Sequence, residues 1–368
     1  GRLVDLEKQY DDQTLQTAHD KFKSGIGLKQ LFLMCAEANG YRGSYASDVN
    51  LDVQRAAFGM QGPRQIQAQG WSTLDIQTIL SNVANKFLRD GWNAVDMTPM
   101  RIAAIRNVRD FKAITTVSLT GDLMFEELGA AGEIKHGTLG ELSYSNKADT
   151  YAKMLAITRQ DIINDDLGAL TMVPRRLGRG SALKLNDLFW TVFLGAENAG
   201  FFSSGNANLN ELAADMTVAG LTATEAMFLS QTDPDGKPLG ATPAILVVPT
   251  ALKSAALTLM NSQFLIDGTA TAKQGSANVF AGRFTVESSP YMHNSTYTGF
   301  SASKWYMLAN PNELPMIEIA ALNGRVEPTV ETADADFNVL GVQMRGYSDV
   351  GVALQEKRAA VKADGGVS

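Results

Sequence analysis

The chain has 368 residues, 45% hydrophobic and 19% charged, with 33 glycines, 11 prolines and a formal net charge of −7. This composition excludes a wholly disordered chain and suits a globular protein of about two domains with a sizeable core. The acidic balance argues against gripping nucleic-acid phosphates, which takes clustered Lys and Arg.

Residues 1–70 read as an arm and not as a domain. Helical patches at Leu15–Phe22 and Leu28–Ala38 alternate with Gly-, Gln- and Ser-rich breaks at Gly40–Ser47 and Gln61–Gly70, too intermittently to bury a core alone. The single cysteine, Cys35, follows Leu28, Leu31 and Phe32 at helical spacing and reads as a small buried residue. It excludes an internal disulfide framework and any multi-cysteine metal site. His19, His136 and His293 are scattered, and nothing in the sequence brings one of them to the thiol. Ser72 and Asp75 resemble a capping box for a helix with Ile76, Ile79, Leu80, Val83 and Phe87 on one face, ending near Gly91.

Alternation over Phe111–Leu119 predicts a strand, and a second β-like run extends from Leu142 to Ile157. Between them, Gly121, Gly129, Gly132, Gly137 and Gly140 mix with Asp122, Glu126, Glu127 and Glu133. Two strands around such a stretch predict a long hairpin with a loose tip. At about 18 residues per arm it would project on the order of 60 Å. Leu185, Leu188, Phe189, Val192, Phe193 and Ala196 then form an apolar stripe, predicting a helix over Pro174–Asn198 with Pro174 as its opening residue.

After a polar break at Phe201–Asn210, a compact α/β unit is expected to run to about Leu322. Its parts are a helix near Thr224–Ser230, a turn at Asp233–Gly236, a buried strand Ala244–Val248 and a helix Thr250–Met260. Strands near Phe284–Glu287, Trp305–Leu308 and Met316–Ala320 complete it. Phe337–Leu354 alternates over its length and predicts a very long strand. Glu356, Lys357 and Arg358 mark a short charged tail.

Little in the sequence points to chemistry. Gly178-Arg179-Gly180-Ser181 approaches a phosphate loop but falls inside a helix and follows no strand, so it reads as close helix packing. Asp233 and Asp235 lack the later oxygens of a calcium loop and read as a turn. Glu126-Glu127 and Asp165-Asp166 are adjacent, so their side chains diverge and no shared proton is expected. Neither a Gly-x-Ser-x-Gly elbow nor HExxH occurs. The expectation is a non-enzyme with no catalytic, cofactor or metal site. No membrane partner is expected either, because the apolar stretches Leu188–Ala196 and Ala244–Leu252 fall far short of the roughly 20 residues a bilayer needs. The polar, acidic start of the chain carries no signal-peptide pattern.

Tyr151–Leu170, reading YAKMLAITRQDIINDDLGAL, resembles a signature of Mu-like major head subunits. In that family a tyrosine-containing strand enters a helix start of this kind, with the long helix close behind. The likeness extends in order from Phe111 to Leu354. It implies an α+β fold of the Hong Kong 97 phage capsid type: N-terminal arm 1–70, helix and strand 71–116, extended loop 117–156, peripheral domain with a spine helix 157–198, axial domain 199–322, and closing strand with C-terminal tail 323–368. It further implies pentamers and hexamers tiling an icosahedral shell around phage double-stranded DNA, in a virion assembled in the bacterial cytoplasm. Implied partners are further copies of the chain, a portal, a prohead protease and scaffold or decoration proteins, with DNA held without sequence specificity.

On that mapping Glu126, Glu127, Glu133, Lys135, Glu141, Lys147, Arg159, Asn164, Asp165 and Asp166 are the candidates for contact between subunits. Lys135 and Lys147 would be the donors if a neighbour were cross-linked through an isopeptide bond. Gly1 would be the N-terminus left by trimming of a precursor. Physically, Thr158 can cap a helix starting at Arg159, with Ile162, Ile163 and Leu167 facing inward. Asn164, Asp165 and Asp166 then either bond the hairpin base or a neighbour, or only terminate a short helix before Pro174. Two rival readings stand beside this one: an encapsulin-like nanocompartment shell and a soluble α/β enzyme or binding protein.

Overall fold

The computed structural model describes residues 28–42, 53, 56–57, 76–121, 139–158, 167–197, 199–211, 215–233, 236–265, 276–334 and 341–364. In chain order the elements begin with α1 (Leu28–Ala38), α2 (Ile76–Asn93), α3 (Thr98–Ile102), β1 (Ala104–Val108), β2 (Ile114–Gly121), β3 (Leu139–Asn146), β4 (Asp149–Thr158) and α4 (Leu167–Gly195). There follow β5 (Leu209–Asn210), α5 (Val218–Leu229), β6 (Pro243–Pro249), α6 (Lys253–Asn261), β7 (Phe264–Leu265), β8 (Ser276–Ala277) and β9 (Thr285–Ser289). The series ends with β10 (Trp305–Ala309), β11 (Ile317–Leu322), β12 (Thr329–Asp334), β13 (Gly341–Leu354) and β14 (Ala360–Ala363). The architecture is α+β, as the resemblance implied. The chain folds as two compact units, residues 1–92, 152–179 and 329–347 in the first, and 93–151, 180–328 and 348–368 in the second. β4, α4 and β13 contribute residues to both.

The first unit packs α1, α2 and the N-terminal half of α4 on the β12–β13 pair. Cys35, Ala84, Leu88, Leu177, Val330 and Met344 lie in its core, and burial pushes the Cys35 thiol up from its ordinary value. Asn85 fastens α2 to β12 by a reciprocal pair of bonds, donating to the Val330 carbonyl at 3.2 Å and accepting from the Val330 amide at 3.0 Å. The two long helices touch backbone to backbone. A Cβ on Gly91 would stand 2.0 Å from the Arg175 carbonyl oxygen, and one on Gly178 would stand 2.0 Å from that of Leu88.

Two expectations change here. Gly91 does not end its helix but lies inside it, because its missing side chain serves the crossing. Pro174 does not open α4, since the helix begins seven residues earlier at Leu167 and carries the proline inside. The ring forfeits one backbone bond there, and Pro174 is buried. Leu167, expected in a separate short helix, is the first residue of α4. Residues 159–166, where that helix was expected, lie outside the described residues.

Besides the two-stranded ribbons β2-β3 and β7-β8, the described residues of the second unit hold strands of two larger sheets. In one, β1 pairs parallel with β11, and β11 pairs antiparallel with the C-terminal half of β13. The other has the order β5-β14-β10-β6-β9, with β14 and β6 flanking β10 on antiparallel ladders. Tyr306 of β10 meets aromatic rings from α4 and from the segment after it, 4.9 Å from Phe193 and 5.4 Å from Phe202. The charged tail is the largest revision. Past Arg358 the chain enters β14, whose four residues are all buried between β5 and β10. Met316–Ala320, assigned from sequence to the α/β unit, pairs instead with β1 and β13 as β11.

The hairpin is present but shorter in its described part. β2 and β3 pair over eight positions, from Ile114↔Asn146 to Gly121↔Leu139, about 25 Å of ribbon. Residues 122–138 lie outside the described residues. The predicted run Leu142–Ile157 is two strands, because Ala148 turns inward against Val108 and Ala320. Beyond that break β4 pairs with β13.

Candidate functional site

The residues singled out from sequence are placed unevenly. Glu126, Glu127, Glu133, Lys135, Arg159, Asn164, Asp165, Asp166 and Gly1 lie outside the described residues. Glu141 sits in β3 opposite Leu119. Lys147 stands exposed just past β3, where its ammonium pairs with Asp149 at 2.7 Å.

What the structure adds is how the base of the hairpin is held. Asn146 is buried and donates to Glu318 of β11, to the carbonyl at 3.3 Å and to the carboxylate at 3.1 Å. Arg106 of β1 approaches the other Glu318 oxygen at 3.5 Å. Two residues further along β3, the Tyr144 hydroxyl donates to Glu356 at 2.7 Å. Glu356 is gripped by the Arg358 guanidinium, Nε and Nη2 each at 2.8 Å from one carboxylate oxygen. Neither Tyr144 nor the Glu356–Arg358 pair was flagged from sequence. A phenol and an ion pair 212 residues apart carry no local signal.

A second charge cluster sits where α4 meets the five-stranded sheet. Glu197, just past the helix, takes Lys362 of β14 at 2.8 Å and is also paired with Lys304. Asp364 lies 3.2 Å from Lys362 and 3.5 Å from Lys304. Lys362 is 3% exposed, and a charge so deep persists only when it is paired. Burial by itself would raise the carboxyls of Glu197 and Glu356. Hydrogen bonds from Lys304 and Lys362, and from Arg358 and Tyr144, outweigh it and hold both below the ordinary value of 4.5.

A pH dependence follows from that sign. Groups whose folded pKa is depressed contribute stability above their unfolded value, and the contribution is lost as pH falls through the folded one. Stability is therefore expected to be level near neutrality and to decline below about pH 4.5. Replacing both Glu197 and Glu356 by Gln should lower stability at pH 7 and flatten the acid limb of a plot of urea midpoint against pH.

Several apolar side chains in the second unit face solvent. Phe264 at the base of the short β7–β8 ribbon is 67% exposed, and Val279 just beyond it is 66% exposed. Phe111, at the foot of β2, is 46% exposed. Among the described residues no group of three or more His, Cys, Asp or Glu side chains is placed to hold a metal ion, and no helix is long and apolar enough to cross a membrane.

The comparisons with known proteins bear on these features. A family model described as phage capsid protein matches residues 142–363, more than half of the chain. The match takes in most of β3, the Tyr151–Leu170 segment, the whole β5-β14-β10-β6-β9 sheet and, of the other sheet, β11 and β13 but not β1. No curated protein matches the chain. Among solved structures, the capsid of Ralstonia phage GP4 is similar at 10% identity and a TM-score of 0.48, over 72% of this chain and 87% of that one. The capsid of the cyanophage P-SCSP1u gives 11% and 0.47 over 72% and 87%. The virus-like particle of Pyrococcus furiosus gives 12% and 0.44 over 77% and 98%.

Proposed function

The chain belongs to the phage capsid protein family, and from this membership we propose that it is the major head subunit of a tailed phage or prophage, of the Mu-like type. It would assemble into pentamers and hexamers that tile an icosahedral shell around double-stranded DNA. The family match over residues 142–363 carries this reading. The β2–β3 ribbon and the open apolar side chains Phe111, Phe264 and Val279 support it, because each is a feature that a second copy would cover.

A shell of this kind works by geometry and not by chemistry. Heterologous contacts that close on themselves make rings, and the rings join into a closed surface. No single contact must be strong, because many act together. A net charge of −7 suits a wall that must enclose DNA without holding it. The reading includes a portal, a prohead protease that trims a precursor, and scaffold or decoration proteins. The subunit itself performs no catalysis.

Electron microscopy of the purified protein tests it. Ring-shaped capsomers or closed shells are expected, and a monodisperse small species by size-exclusion chromatography would overturn the proposal. Shells purified from infected or induced cells should contain DNA. Shells filled with a cargo enzyme would favour the nanocompartment reading instead. On a reducing denaturing gel, cross-linking through Lys135 or Lys147 would appear as ladders above the monomer, and a lone monomer band would eliminate it. N-terminal sequencing of subunits from mature shells, against the encoded reading frame, tests the trimming.

A further inference from the structure

We propose that Tyr144, Glu356 and Arg358 form a clasp that sets the direction of the β2–β3 hairpin, and that the clasp closes only when the C-terminal strand β14 has docked. The capsid reading supplies what the hairpin is for. The clasp stands on geometry within the second unit.

The hairpin is held through one face of β3. Asn146 and Tyr144 are two residues apart, so their side chains leave the same side of the strand, about 7 Å from each other. Asn146 is fastened to Glu318 of β11, a strand that pairs with β1 and β13 and not with β14. One such point gives a ribbon a pivot but no direction. Tyr144 is the second point, and it is fastened elsewhere.

Its acceptor, Glu356, lies in the turn between β13 and β14, and that turn is fixed from every side. The amides of Gln355 and Glu356 donate to the Met316 and Pro315 carbonyls at 2.7 and 3.2 Å. Lys357 donates to Asn206 at 2.7 Å, and Asn208 donates to the Lys357 carbonyl at 3.0 Å. The Arg358 amide and guanidinium both hold Glu356, and the guanidinium also reaches the Thr232 carbonyl at 3.4 Å. Immediately afterwards the chain enters β14, buried between β5 and β10.

Glu356 can therefore meet Tyr144 in this geometry only when that strand is in place. Both carboxylate oxygens are committed, Oε1 to Arg358 and Oε2 to Arg358 and Tyr144, so the phenol finds a fixed, charged acceptor, the stronger kind of hydrogen bond. A subunit with its last strand undocked lacks this second point, and with it the direction of the hairpin. Such a subunit would be a poor building block, and the clasp keeps it from presenting its hairpin.

The test uses the full-length chain and three conservative variants. Tyr144→Phe and Glu356→Gln each loosen the clasp, while Tyr297→Phe removes a comparable phenol bond, to Asp187 at 3.0 Å, elsewhere in the unit. Amide hydrogen exchange is followed in dissociated subunits across residues 114–121 and 139–146, and the assembled particles are imaged. Tyr144→Phe should speed exchange in the hairpin about tenfold, the factor that one charge-assisted hydrogen bond contributes, and should yield irregular particles. Tyr297→Phe should change neither readout. Should Glu356→Gln fail to fold, Tyr144→Phe carries the test alone. Wild-type exchange rates in Tyr144→Phe, or equal acceleration in Tyr297→Phe, would overturn the clasp. Faster exchange with normal particles would overturn its role in assembly. A wild-type chain that never forms particles would sink the capsid reading while the exchange data still judge the clasp.

Discussion

Gly178→Ala is expected to lower stability by about 4 kcal/mol or more, the range reserved for overpacked and strained sites. The added methyl would sit 2.0 Å from the Leu88 carbonyl oxygen. The obstacle is backbone, so no side chain can swing aside. The helices must part by an ångström or more, which strips van der Waals contact from Leu88 and Leu177, both buried beside the crossing. Gly91→Ala meets the Arg175 carbonyl at the same 2.0 Å and should behave alike. Gly180→Ala is the internal control. It lies two residues along the same helix, and its Cβ would find nothing within 4 Å. There the helix propensity of alanine should stabilise by about 0.5–1 kcal/mol. Urea midpoints of the three variants check the claim, and a Gly178→Ala protein as stable as Gly180→Ala would refute the crossing.

The second large effect concerns the end of the chain. Stopping translation after Leu354 removes β14 and is expected to abolish cooperative folding of the second unit. The deletion opens a two-sided gap in the sheet, leaving β10 without its ladder from Trp305 to Leu308 and β5 without a partner. It also strips Glu197 of Lys362, leaving it paired with Lys304 alone. Near-UV circular dichroism and soluble yield report the result. A charged tail, as read from sequence, would have been removable at little cost. Val361→Ala, in the same fully buried strand, should cost about 2 kcal/mol and separates loss of packing from loss of the whole strand.

The sequence is most legible where structure is local. Leu28–Ala38 is read with both its boundaries, since the apolar spacing and the following glycine are written in that stretch. The buried run of β6 and the long alternation of β13 are likewise visible without knowing their partners. What fails is what depends on a distant neighbour. Gly91 looks like a helix stop because a glycine in isolation is one, and only the Arg175 backbone shows why it lies inside. Pro174 looks like a helix start for the same reason. Ala359-Ala360-Val361-Lys362-Ala363 is a short run interrupted by a lysine. Its character as a central strand depends on Glu197, 165 residues earlier. The contact candidates chosen for charge in the hairpin tip and the Arg159–Asp166 segment fall outside the described residues. The anchors that hold the hairpin base are a tyrosine, an asparagine and an ion pair of the supposed tail.

The place of β14 has a consequence for how the protein is made. A ribosome delivers β5, β6, β9 and β10 before the strand that must lie between the first and the last of them. About fifty residues of synthesis separate the appearance of β10 from that of its partner, an interval of some seconds at bacterial elongation rates of about 5–20 residues per second. Throughout it β10, all of whose residues are buried in the finished fold, offers an unpaired edge to any other strand in reach. On a polysome the nearest such strands belong to identical nascent chains. Slow translation or abundant chaperone in that window should therefore change the yield of soluble protein more than any substitution on the finished surface.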